Sequence, residues 1–166
     1  MPHWGVQGEA FLKNKLAYVF VCLIRREYPD AWPTCFHDLI KAAQSSSVPE
    51  ANEALDMLCR IFATLDEEVI SLEFTRSSED IAIATRIKDA IKIDCLTALI
   101  EVLYATVSMS QDTSNSSAAQ GKGEEAWTAW ETRLQVSGSC LDVLQRCISW
   151  IDISLVANSQ AIAILL

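Results

Sequence analysis

Between residues 8 and 27, apolar side chains fall on almost every side of the helix that their spacing predicts. Leu12, Leu16, Val19, Phe20 and Leu23 recur at helical intervals and define one face. Ala17, Tyr18, Val21 and Cys22 fill much of the other. A helix that is apolar nearly all round needs cover on more than one face. The stretch YPDAWP at 28–33 ends it, because Pro29 drives Tyr28 out of helical backbone. Asp30 then reads as the N-cap of a second helix, with Pro33 in the first turn, where a missing N–H costs nothing. Trp32, Phe36, Leu39, Ile40 and Ala43 give this second helix a matching face. A connection of about two or three residues predicts an antiparallel hairpin.

The same grammar recurs. Ser47 is placed to cap, Pro49 sits near a helix start, and Leu55, Leu58, Phe62, Leu65 and Val69 form a face. Ser77 and Asp80 stand at capping-box spacing. Ile87, Ile91, Cys95, Ala98, Leu99 and Val102 continue one stripe to about Val107, as one long helix or one that bends midway. Residues 108–123, SMSQDTSNSSAAQGKG, carry Met109 as their one large apolar residue and read as a flexible surface insertion. A further helix is expected from about Glu124, with a face of Trp127, Trp130, Leu134, Leu141, Leu144, Ile148 and Ile151, and a last one from about 152. The closing run AIAILL is apolar and uncapped, as expected of a truncated hairpin.

No segment alternates with the period of two that a half-buried strand needs, so the fold class is all-α. The first two hairpins begin at an interval that fits the ~40–47 residues of HEAT and armadillo repeats. The expected architecture is an α-solenoid of about three HEAT-like antiparallel helix hairpins. Two occupy 8–107, the insertion occupies 108–123, and a third, truncated hairpin occupies 124–166. In a solenoid each hairpin covers one side of its helices and its neighbours cover the rest. The five tryptophans read as core and hairpin anchors, Trp4 and Trp127 being the most exposed.

Composition narrows the chemistry. The chain has 166 residues, 51% of them hydrophobic, enough for one packed core. Its net charge of −9 is uneven: residues 1–26 hold four basic side chains against Glu9, while residues 50–80 hold nine acidic ones against Arg60 and Arg76. Such a chain is a poor autonomous binder of phosphate backbones, which need clustered Lys and Arg. No apolar run reaches the ~18–20 residues of a membrane span, so no membrane insertion is expected, and no secretory signal is visible. The six cysteines lack zinc-site spacing and read as free, buried thiols; no metal or cofactor is expected. There is no phosphate-cradling glycine loop and no nucleophile elbow. Cys35 and His37 are two apart and point away from each other on a helix. The expectation is a protein that is not an enzyme and has no catalytic residues. Asp66, Glu67 and Glu68 read as a solvated helix end. Arg86, Lys88, Asp89 and Lys92 place charge on one side of a helix, and the like pair Lys88/Lys92 costs about a few tenths of a kcal/mol unless an anion is near.

The segment FLKNKLAYVFVCLIRREYPDAWPTCFHDLI at 11–40 resembles the N-terminal region of exportins, members of the karyopherin-β superfamily. The shared residues are Asn14, Lys15, Leu16, Ala17, Glu27, Tyr28, Pro29, Trp32, Pro33, Phe36 and Asp38; Tyr18 and Cys35 depart from the usual pattern. TRIKDAIKIDCL at 85–96 and SWIDISLVAN at 149–158 are similar to the exportin-T branch, the tRNA exportins. The resemblance implies a fragment of the N-terminal HEAT-repeat region of a nuclear export receptor. Such a receptor binds tRNA together with the GTP-bound small GTPase Ran, meets nuclear pore proteins, and shuttles between nucleus and cytoplasm. It also implies that the second helices line the inner surface, which makes Asp38, Lys41, Arg86, Lys88, Asp89 and Lys92 the candidate contacts to Ran or RNA. The competing expectation is a generic helical-repeat scaffold that binds protein and carries no RNA.

Overall fold

A computed structural model describes the backbone of residues 4–44, 48–71, 75–115 and 124–156, and the side chains of 9–44, 50–71, 75–109 and 131–155. The order is α1 (Trp4–Glu27), α2 (Cys35–Ala43), α3 (Val48–Leu65) with a π-helical turn at Asp66–Ile70, α4 (Ser78–Asp94), α5 (Leu96–Asn115), α6 (Glu124–Cys147) and α7 (Ile153–Val156). There is no strand among the described residues, and the all-α expectation holds. The Ser47 cap, the segment 116–123, the run AIAILL and the side chains of Trp4, Trp127 and Trp130 lie outside the described residues.

α3 is the centre. α1, α2 and α6 all pack on it, and α5 packs on α6. Leu55, Leu58, Phe62, Leu65 and Val69 are all buried, as their spacing predicts, and Cys59 and Ile61 join them from a second side. The stripe Ile87, Ile91, Cys95, Leu99 and Val102 is also buried, with Ala98 packed against it. It bends midway: α4 ends at Asp94, Cys95 leaves helical geometry at φ −138° and ψ −4°, and α5 resumes at Leu96. α4 lies against α1 and the π turn, whereas α5 lies against α2, α6 and α7.

Three expectations need correction. The second helix starts at Cys35, not Asp30, so the connection covers 28–34. Two prolines act in succession here: Pro29 expels Tyr28 from helical backbone and Pro33 expels Trp32, so a continuous helix waits for Cys35. Thr34 holds the cap position, and its hydroxyl donates to Asp38 at 2.8 Å. Next, the face of α1 that meets the core is Ala17, Val21 and Ile24, while Leu12, Leu16, Val19 and Leu23 are exposed. Polar ties select that rotation: Lys13 reaches Asp56 at 3.5 Å, and Arg60 donates to Asn14 at 2.5 Å. The small Ala17 then lets the two helices approach. On α6, likewise, Val136, Cys140, Val143, Leu144 and Cys147 are buried, and Leu134, Leu141 and Ile148 face outward. Small Ser137 and Cys140 sit on the packed side, and the Cys59 and Cys140 sulfurs are 3.8 Å apart. Finally, α5 continues through Asn115, so residues 108–115 of the expected insertion are helical backbone. Polar residues carry only modest helix penalties, and an anchored helix propagates through them.

The YPDAWP punctuation builds the joint between α1 and its neighbours. Tyr28 is buried, its hydroxyl donates to Asp94 at 3.2 Å, and its ring meets Phe36 edge-on at 4.9 Å. Phe36 in turn packs on Phe62 at 5.1 Å, and Trp32 lies 6.3 Å from Phe20. Trp32 and Trp150 are partly buried against the core, as anchors should be.

Five of the six cysteines are buried; Cys22 is exposed, against expectation, because it lies beside rather than on the packed stripe of α1. Burial pushes the Cys35, Cys95 and Cys147 thiols up to about 12.

Candidate interaction cleft

Below α3 the helix widens into the π turn, which carries Asp66, Glu67 and Glu68 into a shallow cleft of about 760 Å³ shared with Ser71, Thr75, Arg76, Asp80 and Arg146. It adjoins a second hollow of about 460 Å³, where Lys88, Asp142, Gln145 and Trp150 join Asp66, Ser71 and Arg146. The cleft thus runs across the ends of α3, α4 and α6.

Two arginines build it. Arg76 donates to the backbone carbonyls of Glu67, Glu68 and Ser71, at 3.0, 2.5 and 2.9 Å. These carbonyls lie at the carboxyl end of the turn, where the helix dipole favours a cation. Arg146 reaches from α6 to Asp66 at 3.3 Å, Glu67 at 3.1 Å and Asp142 at 2.8 Å. The hydrogen bond to Asp142 and these neighbouring carboxylates raise its pKa. Asp66 is displaced upward from the usual carboxylate range, chiefly by burial, with Arg146 opposing. Ser77 caps α4 by accepting from the Asp80 N–H at 3.1 Å and donates to the Asp80 carboxylate at 2.7 Å. That bond, aided by Arg25, holds Asp80 below the usual range. Five carboxylates and three cations line the two hollows, so the site is mixed in sign with an acidic excess.

The expected contact residues are divided by this arrangement. Lys88 lines the second hollow. Lys92 is exposed and 3.6 Å from Asp89. Arg86 is engaged within the chain, donating to Asp30 at 2.8 Å and to the Arg25 carbonyl at 3.4 Å. Asp38 and Lys41 are exposed on α2, which packs on α3 and α5 rather than α4. Among the described residues no ion pair joins them to the α4 group. Sequence reading passed over Arg76 and Arg146. The signal was available for Arg76, one of two basic residues within 50–80. Asp66 is not a solvated helix end as expected: it is partly buried and paired, while Glu67 and Glu68 are exposed.

Stacked helices around one apolar core define an all-α, solenoid-like scaffold. Residues 9–166 match the family described as Exportin 1-like protein. The chain is 34% identical over 160 residues to Exportin-T of Arabidopsis thaliana, covering 96% of this chain and 14% of that protein. It is 32% identical over 155 residues to Exportin-T of Oryza sativa subsp. japonica, covering 93% and 13%. It is 30% identical over 159 residues to Exportin-T of Homo sapiens, covering 95% and 14%. The chain belongs to the exportin 1-like family, and it spans about one-seventh of the length of these curated relatives. Among the described residues no helix is long and apolar enough to cross a membrane.

Proposed function

We propose that this chain is a segment of a nuclear export receptor that binds tRNA together with GTP-bound Ran and carries it through nuclear pores from nucleus to cytoplasm. The family match over residues 9–166 carries the reading. The first two hairpins at 8–107 and the third from 124 then form one stretch of the receptor's wall. Asp38, Lys41, Arg86, Lys88, Asp89 and Lys92 are its proposed contacts, with Lys88 best placed because it opens into the cleft.

The acidic excess of the cleft favours a basic protein surface over RNA phosphates as what this segment itself touches. That supports Ran or a pore protein as the local partner, and it keeps open a scaffold that binds protein without RNA. The deciding experiment is capture of the full-length gene product on Ran loaded with GTP or GDP, with and without tRNA. The proposal expects retention with GTP that strengthens when tRNA is added. Retention indifferent to nucleotide and RNA would overturn it in favour of the scaffold. Lys88 and Lys92 are the cations of this edge and are proposed to meet anionic groups of the partner or cargo, so Lys88→Glu combined with Lys92→Glu in the full-length protein is expected to weaken Ran or tRNA capture without loss of helicity. Unchanged capture of both at low salt would remove these lysines from the site.

A further inference from the structure

We propose that Cys59 and Cys140 form a reversible redox pair, which a two-electron oxidant such as hydrogen peroxide joins in a disulfide that fastens α3 to α6. The two residues lie 81 positions apart in the chain, and the packing of α6 on α3 brings their sulfurs to 3.8 Å. Both are buried, so the core itself holds the two thiols together. The other thiols are placed differently. Cys22 is exposed on α1, and the Cys95 thiol donates to the Ile91 carbonyl of the preceding helix at 3.7 Å. Among the described residues no second pair of cysteine sulfurs is in hydrogen-bond contact. Reaching the ~2.0 Å of a disulfide takes about 1.8 Å of approach, within the sweep of two sulfurs turning about their Cα–Cβ bonds.

The step balances as a dithiol oxidation. Local opening of the α3–α6 contact lets one sulfur, as thiolate, attack an oxygen of the peroxide. The O–O bond breaks, an S–O bond forms, and the first water leaves with that thiol's proton. The other residue's sulfur then attacks the sulfenic sulfur; the S–S bond forms, the S–O bond breaks, and a second water leaves with the second proton. The two thiols give up two electrons, and one peroxide becomes two waters. The hydrogen bond with Cys140, burial, and the carboxylates of Asp56 and Asp142 push the Cys59 thiol well above its ordinary range. The closed protein therefore holds little thiolate, and reaction follows opening. An added thiol reverses the link by exchange. Cys59 lies about two turns before Asp66 on α3, and Cys140 about two turns before Arg146 on α6. The link thus fixes the register of the two helices that supply the Asp66–Arg146 pair of the cleft.

Treating the folded 166-residue chain with hydrogen peroxide, alkylating the remaining thiols and mapping its peptides without reductant tests this. A peptide pair linked through Cys59 and Cys140 is expected to be the main intramolecular disulfide, and dithiothreitol should remove it. In urea, where the α3–α6 contact is lost, the same treatment is expected to give a mixture of pairs. The linked chain should melt above the reduced one, because closing a long loop constrains the unfolded state. The mapping uses the parent chain, so it does not depend on a variant that folds. Cys59 and Cys140 recovered as thiols after Cys22 is fully oxidised, the same mixture of pairs in the folded chain as in urea, or a linked chain that melts no higher would each overturn the proposal.

Discussion

α1 and α3 are both long and rich in large apolar residues, yet they use them in opposite ways. α3 buries Leu55, Leu58, Cys59, Ile61, Phe62 and Leu65, because α1, α2 and α6 all pack on it. α1 buries Ala17, Val21 and Ile24 and leaves its larger Leu12, Leu16, Val19 and Leu23 in contact with solvent. Position in the layer, not the hydrophobicity of the segment, decides which residues stabilise the fold. A helix covered on two flanks contributes most of its apolar area, and one covered on a single flank contributes the side that its polar ties select.

The contrast is easiest to break at the centre. Phe36→Ala removes the ring that joins Tyr28 to Phe62, and a loss of about 3–5 kcal/mol in urea unfolding is expected. Leu58→Ala on α3 should cost about 2–5 kcal/mol. The matched change Leu16→Ala on α1 should stay near the ~0.5 kcal/mol typical of surface substitutions. Equal losses at Leu58 and Leu16 would mean that α1 rotates in solution to bury the other stripe. Removing the α4 cap by Ser77→Ala is a smaller test, expected at about 1 kcal/mol. The same change should raise the Asp80 pKa, since the Ser77 hydroxyl is its largest stabiliser.

The cleft offers a finer comparison, between Asp66 and Asp80. Asp80 titrates below its unfolded value, so it stabilises the fold above that value and the contribution is lost as pH falls through the folded pKa. Asp66 is displaced the other way. Its protonated form is favoured by the fold, so its contribution is present below the unfolded pKa and is lost as pH rises through the folded one. Arg146→Gln should raise Asp66 further and leave Asp80 in place, read by NMR titration of the two carboxyls. A downward move of Asp66 would show that Arg146 does not pair with it in solution. Thiol labelling completes the series without altering stability: Cys22 should react fast, and Cys35, Cys95 and Cys147 only as the protein opens.

These contrasts also mark how far the sequence could be read. The stripes of α3 and of α4–α5 were legible because these helices have neighbours on more than one side, so the apolar residues that the periodicity picks out are buried together with those beside them. α1 and α6 were not, because each has two apolar stripes and spacing cannot choose between them. The choice rests on contacts between residues far apart in the chain, such as Lys13 with Asp56 and Arg146 with Asp66. The cap at Ser77 was legible, being a local bond over three residues. Arg146 was not legible as a cleft residue, since its partners Asp66 and Glu67 lie in another helix pair.

The break at Cys95 gives the stack a mechanical character. Helices α4 and α5 are joined through a single residue outside helical geometry, Cys95, and the two lean on different neighbours: α4 on α1 and the π turn, α5 on α2, α6 and α7. Such a jointed pair works as a splint between those two sets of neighbours. Sliding one layer past the next must strain the same stretch of backbone at its joint, where the Tyr28 hydroxyl is fastened to Asp94. A load applied at α1 is therefore expected to reach α5, and through it α6 and α7, by way of that joint.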